Sequence, residues 1–410
     1  MEVLHACCAG LDVHQKTVVA CVRRADGKQV RTETRTFATS TRGLIGLASW
    51  LDEHGVTHAV MESTGVYWKP VWHVLDDGER QLTLANARDV KNLPGRKTDA
   101  NDAQWLASLL AHGLVRPSFV APQAVQELRD LTRTRKQLVR ERSQHIQRVQ
   151  KTLENANVKL TGTLSNVVGR SGRAILDAIV GGESDPEKLA ALAVGKARMK
   201  HAALVEVLHG RVREHHRGML RLHLKMIDAL TATIEEVDDQ VGKALAPSRE
   251  LMKILTTMPG VSEVTAEVIL AEIGSDMSRF PTAGHLVSWA GLCPRSDESA
   301  GKKRSTRIRK GSPWLRTTLV QAAWAAARSK DTYLRALFLR LQRKGSKKAV
   351  IAVAASMLTS VWHMLRDGVV YDDLGADHFA RHDQKKTLGR LTRRIEALGY
   401  TVELKKNEAA

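Results

Sequence analysis

At 410 residues the chain is long enough for two or three domains, and its 43% hydrophobic and 26% charged residues exclude wholesale disorder. Lys and Arg number 63 against 44 acids, a net charge of +19 that draws nucleic acid or an anionic membrane surface. Aromatic residues make up only 4%, which argues against reading single strands by base stacking, and the four cysteines form neither a disulfide framework nor a CxxC zinc pattern.

Cys7 to Ala38 predicts three consecutive strands: an apolar run through Leu11 and Val13, then Thr17 to Val22, a turn at Asp26-Gly27, and the alternating Val30 to Phe37. Ser40 or Thr41 caps a helix whose Leu44, Ile45, Leu47, Trp50 and Leu51 share a face, ending near Gly55. A strand over His58 to Met61 stops at Glu62, before Ser63-Thr64-Gly65, and a further helix and the strand Gln81 to Ala85 follow. Lys97 to His112 reads as a helix carrying Asp99 and Asp102 on its first turn, with Gly113 as its stop. Residues 1–125 are therefore expected to form a strand-first α/β domain.

Gln126 to Leu153 reads as a long basic helix with Arg129, Arg133, Arg135, Lys136 and Arg140 as the candidate nucleic-acid contacts. Gly162 to Gly195, rich in Gly, Ser and small residues, reads as a linker or short helical insert. His201 to Leu245 carries a heptad-like run, Val212, His215, Met219, Leu222 and Met226, then Leu230, Ile234, Val237 and Val241 after a slip. It predicts a coiled-coil hairpin or dimer arm of roughly 65 Å, so residues 126–246 form a helical arm.

A mostly helical domain is expected over 247–370. Leu251 to Met258, the turn Pro259-Gly260-Val261 and Ser262 to Ile273 fit a helix-hairpin-helix, which offers backbone N–H groups to phosphates, and fit a plain αα-hairpin equally well. Ala349 to Leu365 falls short of the roughly 20 residues that span a bilayer and carries Ser356, Thr359, Ser360 and His363, so a buried helix and no membrane partner are expected. The N-terminus shows no basic and apolar regions of an export signal, which leads to a cytoplasmic location. The segment 371–410 is a polar tail with no assigned role.

Asp12 lies mid-strand on the face opposite Leu11 and Val13, Glu62 ends a strand, and Asp99 and Asp102 are three apart on one helical face. Each alone also fits a structural role, as a strand-end acid or an answer to the helix dipole. Converged within about 4 Å, each like-charge pair costs on the order of 4 kcal/mol at an effective dielectric near 20, so a cluster needs a divalent cation. All-oxygen ligands suit Mg²⁺ or Mn²⁺.

This order of acids and elements resembles the RuvC/RNase H type of nuclease domain. Gly10-Leu11-Asp12-Val13-His14, Met61-Glu62-Ser63-Thr64-Gly65 and Lys97-Thr98-Asp99-Ala100-Asn101-Asp102-Ala103 resemble the DEDD motifs of the transposases of bacterial insertion sequences known as the insertion-sequence one-ten family. Downstream, Gly291-Leu292-Cys293-Pro294, Glu298-Ser299-Ala300-Gly301-Lys302, Arg309-Lys310-Gly311 and Trp314-Leu315-Arg316 resemble the family's second block. Many members have Ser-Gly where this chain has Ser299-Ala300.

The resemblance implies a transposase, a DNA recombinase in which Asp12, Glu62, Asp99 and Asp102 hold Mg²⁺ and Ser299 attacks DNA to form a transient phosphoserine link. It further implies double-stranded donor and target DNA, a guide (bridge) RNA, and a homo-oligomer, dimer or tetramer, whose metal site and serine can come from different subunits. Lys302, Lys303, Arg304, Arg307, Arg309 and Lys310 surround Ser299 and are candidates for phosphate contact. A RuvC-like hydrolytic nuclease or junction resolvase, and a non-catalytic nucleic-acid-binding protein, are the alternatives. No Walker A pattern is present, so ATP use is not indicated.

Overall fold

The computed structural model describes residues 3–404 apart from 28, 63–64, 87–89, 91–101, 295–296, 300–301, 306 and 383. The chain divides into two compact units, residues 1–120 and 121–410.

The first unit is built on five strands: β1 (Cys7–Val13), β2 (Thr17–Asp26), β3 (Gln29–Ala38), β4 (His58–Glu62) and β5 (Gln81–Ala85), in the order β3-β2-β1-β4-β5. The first three form an antiparallel meander, while β4 lies parallel to β1 and β5 parallel to β4. Gly27 turns β2 into β3 with φ 56°, where a residue without Cβ is at home.

Period-2 alternation sends the side chains of each strand to two cores. Ala9, Leu11, Val13, Ala59, Met61 and Leu84 pack with helix α1 (Thr41–Glu53) and helix α2 (Trp68–Leu75) on one face. Cys8, Val60 and Ala85 pack with Leu106, Leu109 and Leu110 of helix α3 (Asp102–Ala111) on the other. Ser40 caps α1, its hydroxyl accepting from Gly43 N at 3.3 Å. Of the five apolar positions expected to share the α1 face, Ile45 is exposed, because the buried stripe follows Leu44, Leu47, Trp50 and Leu51.

In the second unit, helix α4 (Gln123–Asn155) and helix α9 (Glu214–Ala244) run antiparallel, as the pairs Arg135–Asp238, Arg142–Thr231 and His145–His223 show. Four short helices, α5 (Leu160–Thr163), α6 (Arg170–Val180), α7 (Pro186–Ala191) and α8 (His201–Leu208), close the tip of this pair. Leu153, Ile175, Leu176, Ile179, Leu204 and Leu220 share its core. The segment read as a linker is thus a packed cap: its small residues separate an apolar stripe at Ile175, Leu176 and Ile179 that buries against the long helices.

The α9 seam also differs from the expected heptad. His216, Leu220, Leu224 and Ile227 are buried in its first half, while Leu222 and Met226 stand exposed. There α9 meets both α4 and the cap, so burial follows the 3.6-residue helical repeat rather than a two-stranded seam. From Leu230 onward the expected positions Ile234, Val237 and Val241 are buried.

The remainder is helical: α10 (Arg249–Thr256), α11 (Glu263–Ile273), α12 (Ala283–Trp289), α13 (Pro313–Ala326), α14 (Tyr333–Gln342) and α15 (Ser346–Asp367), with a two-stranded insertion, β6 (Asp297–Ser299) and β7 (Lys302–Ser305), between α12 and α13. By length and composition α15 could cross a membrane, yet 56% of its apolar window is buried, and its Trp362 Nε1 donates to Phe280 O at 2.9 Å. It is the central core helix of this region. The tail carries α16 (His378–His382) and α17 (Gln384–Glu396).

Candidate active site

The registers of β1 and β4 bring two of the predicted acids together. Leu11 pairs with Met61, so the next step along both parallel strands sets Asp12 beside Glu62, about 4.8 Å away at the usual strand spacing. Both residues share the parity of Cys8, Gly10 and Val60 and therefore face α3. They also sit at the carboxyl ends of their strands, where open α/β sheets characteristically bind ligands.

Helix α3 is drawn onto this face by Gly10. A Cβ on Gly10 would overlap Ala103 O and Ala107 N, so only glycine lets the helix backbone approach so closely. Cys8 Sγ donates to Ala107 O at 3.4 Å and Gly10 lies against Ala103, so each two-residue step up β1 moves about one turn toward the start of α3. Asp102 is the first residue of α3. Asp99 lies outside the described residues.

His14, which the sequence reading did not single out, places Nε2 3.2 Å from Asp12 Oδ2. Its signal was available, two residues after Asp12 at the strand exit. Among the described residues, no group of three or more His, Cys, Asp or Glu stands close enough to hold a metal ion. Carboxylate oxygens, as at Asp12 and Glu62, are hard donors of the kind that suit a divalent cation such as Mg²⁺ or Mn²⁺ better than zinc.

Ser299 stands on a β-hairpin within a domain expected to be mostly helical. It ends β6 and pairs with Lys302 of β7. Below them the two strands of the excursion are joined by the Pro294–Ile308 bridge and by Arg309 N donating to Cys293 O at 3.3 Å. At the neck Gly291 (φ 71°) and Gly311 lie backbone to backbone, and a Cβ on either would overlap the other strand. Lys302, Arg307, Arg309 and Lys310 are exposed, while the side chains of Lys303 and Arg304 lie outside the described set.

The expected basic helix divides differently. Arg129 donates to the carbonyls of Ala271 and Glu272, and Arg133 binds the Glu272 carboxylate with two bonds of 2.8 and 2.9 Å. Arg135, buried, pairs with Asp238 at 2.8 Å and Glu267 at 2.6 Å. Lys136 donates to Thr317 Oγ1 and Thr318 Oγ1, and burial followed by the neighbouring Arg140 charge lowers its pKa. These four hold α4 against α9, α11 and α13, whereas Arg140 is exposed. Arg133, Lys136 and Arg140 lie 5.7 to 5.8 Å from the Trp314 ring.

Gly260 in the α10–α11 turn has φ 85°, and a Cβ there would overlap Ala322 and Ala326 of α13. The turn is packed on a helix, which accounts for its glycine without a phosphate. The sequence reading also passed over Glu272, an acid within the apolar run Val268 to Ile273 and only 1% exposed.

Two family profiles match this chain. One, described as a transposase and named for the DEDD residues of IS110, matches residues 9–158, from β1 to the end of α4, and the other, described as the transposase IS116/IS110/IS902 family, matches 252–339, from α10 to α14. The chain belongs to the IS110 family of transposases. Among related proteins, one from the insertion element IS110 of Streptomyces coelicolor is 32% identical over 36% of this chain, an overlap that spans 37% of that protein. The pilin gene-inverting protein of Moraxella lacunata is 24% identical over 88% of this chain and 97% of its own length. A transposase for the insertion sequence element IS1111A of Coxiella burnetii is 26% identical over 66% of each chain. Within this IS110-family chain the acids Asp12, Glu62 and Asp102 fall in the first matched block, and the Ser299 hairpin falls in the second.

Proposed function

We propose that this chain is the recombinase of an insertion sequence, cutting and rejoining DNA through Ser299, with Asp12, Glu62, Asp99 and Asp102 as the ligands of a Mg²⁺ ion. The observation that carries the reading is the placement of Asp12 beside Glu62 at the ends of two parallel strands, beneath the helix that begins at Asp102. The strand order β3-β2-β1-β4-β5 supports a RuvC/RNase H-like reading of the first unit. The name of the pilin gene-inverting relative supports recombination over simple cutting.

In this chemistry the Ser299 hydroxyl attacks the scissile phosphorus and loses its proton. The bond from phosphorus to the leaving deoxyribose oxygen breaks, and that oxygen is protonated as a free DNA end. A phosphodiester to Ser299 keeps the bond energy until a second DNA hydroxyl attacks it and releases the serine. Bound Mg²⁺ would neutralise charge on the phosphate and lower the pKa of the attacking hydroxyl. The exposed cations Lys302, Arg307, Arg309 and Lys310 would hold the DNA backbone without reading its sequence.

On this reading sequence choice comes from a bridge RNA paired with donor and target DNA, and the working form is a homo-oligomer in the cytoplasm. The test is a denaturing gel of protein, the RNA transcribed beside the element, Mg²⁺ and labelled DNA. A covalent adduct is expected, lost in Ser299→Ala and in Asp12→Ala. An adduct that survives Ser299→Ala overturns the nucleophile, one that forms in Asp12→Ala overturns the metal role, and cut DNA without an adduct marks a hydrolytic nuclease.

A further inference from the structure

A buried carboxylate outside the proposed metal and serine residues reaches the base of the Ser299 hairpin. Glu272, near the end of α11, is 1% exposed and accepts two bonds from Arg133 of α4. Its Oε2 also accepts from Ser312 Oγ at 2.9 Å. Ser312 follows Gly311, the neck glycine, and caps α13 by accepting from Leu315 N at 3.3 Å. One hydroxyl therefore ties the start of α13, the hairpin neck and a buried ion pair together.

We infer that Glu272 and Ser312 are positioning residues for the serine: the Arg133–Glu272–Ser312 clasp fixes the direction in which the hairpin carrying Ser299 leaves the domain. The inference rests on reading Ser299 as the nucleophile. Gly311 has no room to move, because its backbone lies against Ala290 and Gly291 on the opposite strand. Arg316, one turn into α13, adds a bond from Nη1 to Arg309 O at 3.3 Å on the same returning strand. A shift of Ser312 is therefore transmitted directly to both sides of the neck.

The lever is long. Ser299 is eight residues beyond Gly291 in the chain, so a small tilt at the neck is amplified at the serine. A misplacement of about 1 Å costs a reacting group on the order of 10²-fold in rate. The buried charge suits this task. Glu272 holds its geometry because Arg133 donates to both carboxylate oxygens and Ser312 to Oε2, and removal of the Ser312 donor leaves Oε2 with one partner fewer in a site shielded from water.

Substitutions at Ser312 separate clasp from cap. Asp and Asn both cap helices as well as Ser. Asn can also donate an N–H to Glu272, whereas Asp brings a second carboxylate against it. In the full-length protein with its RNA, Mg²⁺ and labelled duplex, Ser312→Asn is expected to form adduct within about twofold of wild type. Ser312→Asp is expected to lose at least tenfold in adduct rate at saturating DNA, with DNA affinity within about twofold. Backbone hydrogen exchange is expected to rise in Ser312→Asp at Arg309, whose N–H closes the neck, while α4 and α11 stay protected.

Should Ser312→Asp unfold, Ser312→Gly carries the test, since it removes the donor and remains a serviceable cap. The same loss of rate with retained affinity is expected. Wild-type rate and exchange in Ser312→Asp overturn the clasp while leaving the serine reading intact. Absence of any adduct in the wild type overturns the serine reading, and the positioning role with it.

Discussion

Gly10 and Ala103 lie in direct backbone contact, strand against helix, with no space for a side chain between them. This contact sets the height of α3, which begins at Asp102, above the strand that carries Asp12. Gly10→Ala must push α3 outward, since its neighbours are backbone atoms that cannot rotate aside. Overpacking of this kind costs about 1 to 3 kcal/mol, so a lower urea midpoint for the first unit is expected, together with loss of Mg²⁺-dependent adduct. A variant with wild-type stability and adduct formation would show that the helix position is not critical.

The adjacent carboxylates predict an opposite pair of effects with and without metal. Asp12 and Glu62 carry like charges at neighbouring positions of adjacent strands, and like charges side by side on a sheet are destabilising, so neutralising either one relieves part of this. Asp12→Asn and Glu62→Gln should leave the metal-free protein at least as stable as wild type. Mg²⁺ at 100 times its Kd should stabilise the wild type by about 2.7 kcal/mol and both variants far less. Thermal midpoints with EDTA and with Mg²⁺ decide it, and a full Mg²⁺ shift in both variants would remove them from the metal site.

What was legible in the sequence was whatever repeats locally. The strands from Cys7 to Ala38, the cap at Ser40 and the strand-end position of Glu62 follow from period-2 alternation and turn residues, and the structure places them close to expectation, except that β2 runs four residues past Val22 to Asp26. The meeting of Asp12 with Glu62 depends on strand order, which alternation does not encode. Ser299 has a context that points to chemistry, whereas Glu272 shows only as an acid in an apolar run. Its partners Arg133 and Ser312 lie 139 and 40 residues away in the chain. Likewise Arg129, Arg133 and Arg135 read as a basic face because nothing in their spacing reveals the Ala271 and Glu272 carbonyls and the Glu272, Asp238 and Glu267 carboxylates that tertiary packing brings to them.

That division among the α4 cations separates stability from nucleic-acid affinity. Arg135→Ala leaves Glu267 and Asp238 without their buried cation, and breaking such a pair costs about 3 to 5 kcal/mol. Arg140→Ala removes an exposed cation and should change stability by less than about 0.5 kcal/mol. A cation that no longer neutralises a phosphate makes the slope of log affinity against log salt shallower by about 0.9. The expectation is a reduced slope in Arg140→Ala and a wild-type slope in Arg135→Ala, measured where the latter is still folded. Equal slopes in Arg140→Ala and wild type would place the nucleic acid elsewhere.

The helical arm carries its own pH dependence at His145 and His223, whose Nδ1 atoms face each other at 3.3 Å across α4 and α9. Burial, followed by the His145 and Arg148 charges, lowers the His223 pKa. A group depressed in the folded state adds stability that is complete above its unfolded value, near 6.5, and declines as pH falls through that value toward the folded one. Below about pH 6.5 the unfolded chain takes up the proton first, so acidification destabilises the arm. Urea midpoints at pH 7.5 and 5.5 should fall further in wild type than in His223→Gln, which cannot be protonated. An identical fall in both would assign the acid sensitivity to other groups, with His216, also lowered by burial, as the next to replace.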